Sequence, residues 1–143
     1  MTSSAESSTL DRTVPITGIL ETALYAGDLG AAEDFYERVL GLELESRAPG
    51  RHAFFRCGEA MLLVFDPATT SRSAGPVPVH GATGPGHVAF AVDDLDAWPE
   101  RLRRAGVAVE ADFEWAGGGR SVYFRDPAGN SVELTTPRIW VDP

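Results

Sequence analysis

The sequence holds one cysteine, Cys57, among 143 residues. That count excludes an intrachain disulfide and a cysteine-cluster zinc site. Beside Arg56, Cys57 reads either as a reactive thiol or as a buried strand residue, the latter being the commoner place for a lone cysteine. Long apolar runs are missing too: none reaches the roughly 18 residues of a spanning helix, so no membrane segment is expected. The opening stretch MTSSAESSTLDRTVP lacks a basic start followed by an apolar core. Residues 1–15 therefore read as a flexible tail rather than an export signal, and the chain is assigned to the cytoplasm. Positive charge is scarce, with 12 basic against 21 acidic side chains and a net charge of −9. A nucleic-acid partner, which calls for a basic face, is excluded. Such a charge suits solubility, or the binding of a metal ion or a basic small molecule.

What is present is an internal repeat. At this length one domain is expected, burying about two-thirds of its unfolded surface, and the 43% apolar and 23% charged fractions are those of a globular chain. The stretch ALYAGDLGAAEDFYERVLGLELES lies on AFAVDDLDAWPERLRRAGVAVEAD with one residue of slack. Each copy predicts a strand, an Asp at a helix start (Asp28, Asp94), an amphipathic helix, a stop at Gly41 or Gly106, and a second strand. In the first helix Leu29, Ala32, Phe35, Tyr36 and Val39 form one apolar face. Two further strands follow in each copy, HAFFRC and AMLLVFD around Gly58-Glu59, then RSVYFRD and SVELTT around Pro127 to Asn130. The chain is thus read as α+β, two βαβββ modules at 16–67 and 83–137. Between them 68–82, rich in Pro, Gly, Ser and Thr, reads as a surface linker.

Strand alternation sorts the side chains into faces. Leu20, Thr22 and Leu24 share one face of the first strand and Glu21, Ala23 and Tyr25 the other. In the second copy Val88, Phe90 and Val92 oppose His87, Ala89 and Ala91. The bulky faces suit packing on the helices, which leaves Glu21 and His87 at the same step of an open face. The last strand adds Glu133 there, where the first copy has Leu62 or, with a one-residue slip, Leu63. Two carboxylates and an imidazole from three strands make a divalent-metal site with positions left for water or substrate. Oxygen donors favour Mn, Fe or Mg, and the imidazole admits Zn, Ni and Co. For each residue alone, a solvated Glu or a hydrogen-bonded His is the ordinary reading. Their coincidence at equivalent steps of a duplicated unit is what marks them.

The stretches LETALYAGDLGAAEDFYERVLGLEL, GHVAFAVDDLDAW and GGRSVYFRDPAGNSVEL resemble the signatures of the vicinal oxygen chelate superfamily. That superfamily includes glyoxalase I, bleomycin-resistance proteins, extradiol dioxygenases and fosfomycin-resistance enzymes. The resemblance covers about residues 16–137, leaving 138–143 as a C-terminal tail. It implies paired βαβββ modules forming an incomplete barrel around a metal, and a homodimer with its sites at the interface. It also implies that Glu21 takes the place of the first-strand ligand, usually His or Gln, and that His87 and Glu133 match ligands of the second module. The further Glu of glyoxalase I is replaced by Leu62 or Leu63. A three-ligand site is the arrangement of the fosfomycin and dioxygenase branches. Ser121 and Tyr123 match phosphonate-holding residues of the former, while Thr135 stands where that branch has His.

The leading expectation is a glyoxalase-like enzyme that holds a divalent ion through Glu21, His87 and Glu133. It would act on a small oxygen-chelating substrate by isomerisation or by transfer of a low-molecular-weight thiol, with Glu21 or Glu133 as general base. The alternatives are a metal-free drug-binding protein of the bleomycin-resistance type, a fosfomycin-type or dioxygenase-type enzyme, and a regulatory dimer without small-molecule chemistry. Arg120, Ser121, Tyr123, Tyr25 and Trp115 are the expected substrate contacts, with Arg120 offering paired N–H donors to an anion. Arg125 is expected to pair with Asp126 in a turn. Gly117 to Gly119 read as a mobile loop or a tight connection. Tyr25, Phe54, Trp115 and Tyr123 read as an aromatic wall or, more commonly for strand aromatics, as core. Trp98 is expected to pack, Trp140 to dock on a partner subunit, and His52 and His80 to lie on the surface.

Overall fold

The computed structural model describes residues 14–72 and 75–140, and in them the duplication is visible strand for strand. The first unit runs β1 (Glu21–Tyr25), α1 (Leu29–Asp34), a π-helical turn (Phe35–Val39), β2 (Glu43–Ala48), β3 (His52–Cys57) and β4 (Ala60–Phe65). After a short helix α2 (Pro67–Thr70), the second runs β5 (His87–Ala91), a 3-10 turn (Leu95–Ala97), α3 (Trp98–Arg104), β6 (Val109–Glu114), β7 (Arg120–Arg125) and β8 (Ser131–Thr135). The sheets have the same order, β1-β4-β3-β2 and β5-β8-β7-β6, with the outer β1–β4 and β5–β8 pairs parallel. Neither sheet closes on itself. Even the irregularities repeat: a bulge falls between Leu44 and Ser46 in β2 and between Val109 and Ala111 in β6. Each bulge presents a Glu to an Arg of the next strand, Glu45 to Arg56 and Glu110 to Arg125. Arg125 therefore pairs with Glu110 at 3.0 Å and not with Asp126, because the bulge turns Glu110 toward it.

The local chemistry explains the first helix. Asp28 caps it by accepting the Ala31 amide at 3.0 Å. Gly41, at φ +73°, reverses the chain so that Leu42 N–H reaches the Tyr36 carbonyl at 2.9 Å. Asp94 makes no such capping bond, since the second copy opens with a 3-10 turn and Pro99 then starts α3. The inner faces of both sheets and the helices share one core, in which Tyr36, Phe55, Leu62, Leu102, Phe124 and Leu134 are almost wholly buried. Trp98 packs against this core under the Arg101 guanidinium, as expected.

A buried polar knot ties the units together. Asp126, 4% exposed, accepts the Tyr36 hydroxyl at 2.8 Å, the Asn130 side-chain amide at 2.9 Å, and the Ala128 and Asn130 backbone amides. Asn130 then donates to the Tyr25 carbonyl and accepts from Gly86 N–H, joining the end of β1 to the approach of β5. Burial and the Asp126 charge push the Tyr36 phenol far above its usual range, so it serves only as a donor.

Three expectations gain detail. The linker is ordered at both described ends: Asp66 caps α2, and Val77–His80 crosses the open face of the first sheet, pinned by His80 N–H to the Thr70 carbonyl at 2.9 Å. The triple glycine is a tight connection, with Trp115 N–H bonded to the Gly119 carbonyl and the C-terminal 3-10 turn packed on it. Gly119 has φ +92°, and a Cβ there would lie 2.6 Å from Ile139 Cγ2. Gly119→Ala is expected to lower stability by about 1–3 kcal/mol; an unchanged urea midpoint would contradict that packing. Cys57 ends β3 half-buried, and burial raises its thiol pKa, in line with a strand residue rather than a reactive thiol. Residues 1–13 of the expected tail and 141–143 lie outside the described residues, and Trp140 is 89% exposed.

Candidate functional site

Strand register decides what shares the open faces. In the first sheet Glu21 opposes Met61, Ala23 opposes Leu63 and Tyr25 opposes Phe65. In the second His87 opposes Ser131, Ala89 opposes Glu133 and Ala91 opposes Thr135. Leu63 is thus the counterpart of Glu133, while Leu62 points into the core. Glu21 and His87 stand at equivalent steps, both exposed, as the alternation predicts.

The second open face is polar and wired. Glu133 is only 5% exposed, and its Oε1 lies 3.3 Å from His87 Nε2. Its Oε2 lies 2.5 Å from Ser121 Oγ, which also sits 2.9 Å from Thr135 Oγ1 and accepts the Trp115 indole N–H at 2.8 Å. His87 Nδ1 is 3.1 Å from the Ser131 carbonyl. A carbonyl only accepts, so Nδ1 carries a proton, and Nε2 faces the Glu133 carboxylate either as the second donor of an imidazolium or as an acceptor. Two acceptor atoms that close repel unless a proton or a cation lies between them. The 3.3 Å separation is also close to what two ligand atoms at about 2.1 Å from one ion subtend. The donor set therefore fits a divalent ion.

Aromatic rings frame this pair. Tyr123 stacks 6.2 Å from His87 and 5.7 Å from Phe113, and Phe113 meets Trp115 edge-on at 4.9 Å. Partial burial and the Glu133 charge raise the Tyr123 pKa, so it faces the site as a neutral donor. Tyr25, Phe54 and Tyr123 are half-buried and Trp115 is 41% exposed, so the four sequence-flagged aromatics line open faces rather than the core.

The remaining expected contacts fall elsewhere. Glu21 is not brought to His87 and Glu133: among the described residues no three His, Cys, Asp or Glu side chains gather as a metal site. Ser121 is wholly buried and reaches the site only through its bonds to Glu133 and Trp115. Arg120 already holds Asp112 with Nε and Nη2, at 2.9 and 2.8 Å, and Asp96 with Nη1. His80 is a half-buried residue whose Nδ1 lies 2.7 Å from the Tyr25 hydroxyl, and His52 stacks on Phe54 at 3.7 Å, so neither is a plain surface residue. The period-two alternation of Val77-Pro78-Val79-His80 inside the linker was the signal for that strap.

A family model for the Glyoxalase/Bleomycin resistance protein/Dioxygenase superfamily matches residues 18–134. Among solved structures the chain is similar to a lactoylglutathione lyase from Agrobacterium tumefaciens, with 49% identity over 88% of this chain and 98% of that one and a TM-score of 0.85. It is also similar to a glyoxalase/bleomycin resistance protein/dioxygenase from Nocardioides, with 27% identity over 97% and 93% of the two chains and a TM-score of 0.72. TioX from Micromonospora sp. ML1 is 25% identical over 83% and 98%, with a TM-score of 0.68. No curated protein matches the chain. Among the described residues no helix is long and apolar enough to cross a membrane.

Proposed function

The chain belongs to the glyoxalase/bleomycin resistance protein/dioxygenase superfamily, and on that premise we propose that it is a glyoxalase-like, divalent-metal-dependent lyase acting as a homodimer. The observation that carries this reading is His87 Nε2 facing the Glu133 carboxylate at 3.3 Å on an open sheet face. A protein that only sequesters a ligand has no use for such a pair, held by a carbonyl on one side and a serine on the other. Similarity to a lactoylglutathione lyase supports the lyase class.

In this reading His87 and Glu133 hold the ion, and Glu21 reaches it from a second copy of the chain, since one copy does not bring the three together. The ion, when bound, supplies Lewis acidity to neighbouring oxygens of a small substrate. Ser121, with Trp115 behind it, fixes the carboxylate of Glu133 and keeps it from rotating. Tyr123 donates a hydrogen bond toward a developing oxyanion. Glu133 is buried and engaged, whereas Glu21 is exposed. Glu21 is thus the freer carboxylate to take a proton from carbon as general base.

Mass spectrometry of protein purified without chelator, then loaded in turn with Mn, Fe, Co, Ni and Zn, tests the metal claim. About one ion per chain is expected; no uptake of any of them would favour metal-free drug binding. Ser121→Ala is expected to weaken uptake by about 10–100-fold while leaving the fold intact. Metal affinity equal to wild type would show that Ser121 does not orient the ligand.

A further inference from the structure

The two open faces have diverged. At the register positions where the second sheet carries Glu133, Thr135 and Ser121, the first carries Leu63, Phe65 and His52. The half without the polar network is an aromatic and aliphatic trough. Phe54 and Phe65 meet edge-on at 5.3 Å, and Phe65 meets the His80 ring at 4.7 Å. Over it runs the Val77–His80 strap, held by the 2.7 Å bond between the Tyr25 hydroxyl and His80 Nδ1. Strap and sheet border an open cleft of about 690 Å³ whose charged lining residues are Glu21 at one edge and Arg51, the latter set over the Phe65 ring. Its lining is mostly apolar and aromatic with a few polar groups at the edge, as in small-molecule sites.

We propose that this cleft is the specificity site of the enzyme and takes an uncharged aryl or branched-alkyl group of the substrate, with the strap latched by Tyr25 and His80 as its cover. The proposal rests on the reading that the open faces form the reaction site. All 12 basic residues of the chain are arginines, and Arg120, Arg125 and Arg56 are already paired with carboxylates. Among the described residues Arg51 is the one guanidinium lining the cleft, and alone it offers little to a substrate tail with several carboxylates. Aromatic faces offer much more to a ring.

Met61 lines the cleft and is one of two methionines, the other being Met1, so 13C-methyl labelling gives a direct reporter. The test titrates metal-free protein with 2-hydroxyacetophenone and with hydroxyacetone, which differ only in phenyl against methyl. The Met61 signal is expected to move with the aryl compound at a midpoint at least about 10-fold lower than with hydroxyacetone. Val79→Asp, on the exposed strap, and Tyr25→Phe, which breaks the latch and keeps the ring, are expected to erase most of that preference. Equal midpoints, an unmoved Met61 signal, or variants with full preference would overturn the proposal. Metal uptake is measured in parallel on the same samples. Its absence with the aryl preference intact would sink the enzyme reading alone, and its presence without the preference would sink the cleft.

Discussion

Replacing His87 with alanine is expected to lower divalent-metal affinity by at least about 100-fold, more than the loss of a mere supporting residue such as Ser121. The reason lies in the donors. With His87 gone, Glu133 keeps its Ser121 bond but faces the site alone, and one carboxylate, even with Glu21 from a second copy, makes a weak all-oxygen site. His87 is 51% exposed in its side chain, so its removal leaves the core untouched and the variant folds. Isothermal titration with Mn or Zn reads the effect directly. Affinity within a few-fold of wild type would mean that the imidazole is not a ligand.

The largest stability effect is expected at Asp126, far from that chemistry. Asp126→Ala removes the acceptor of four hydrogen bonds at once and strands the Tyr36 hydroxyl and the Asn130 amide in a dry interior. Each stranded donor costs about 1–3 kcal/mol, so a loss of roughly 3–5 kcal/mol is expected, a fall of about 10 °C in Tm for a chain of this size. Asp126→Asn, which keeps acceptor oxygen, is expected to recover part of it. A loss below about 1 kcal/mol in urea unfolding would show that the knot does not hold the units together.

The architecture was legible because each βαβββ copy repeats its punctuation: Asp28 before the helix, Gly41 and Gly106 after it, and period-two strands. Alternation also sorted faces correctly, placing Glu21 and His87 outward and Leu24 and Val88 inward. It did not choose between Leu62 and Leu63, because alternation within a strand says nothing of the register between strands. The partner of Arg125 was hidden for a related reason: Glu110 lies on the neighbouring strand and reaches it through a bulge that no local pattern announces. His80 was read as a surface residue because it lies in a Pro- and Gly-rich stretch whose composition masks the short apolar strap. Ser121 was read as a substrate contact, yet it is wholly buried and hydrogen-bonded to Glu133. Within one copy Glu21 does not reach His87 and Glu133, and alternation, which sorts residues to faces, says nothing of the distance between the two open faces.

Mixing two defective variants tests the shared site most directly. Glu21→Ala keeps His87 and Glu133, and His87→Ala keeps Glu21, so a mixed dimer contains one complete site and one empty one. After unfolding and refolding together in equal amounts, half of the dimers are mixed, and metal capacity is expected to return to about a quarter of wild type. A mixture that binds no more metal than either variant alone would contradict a site built across two chains.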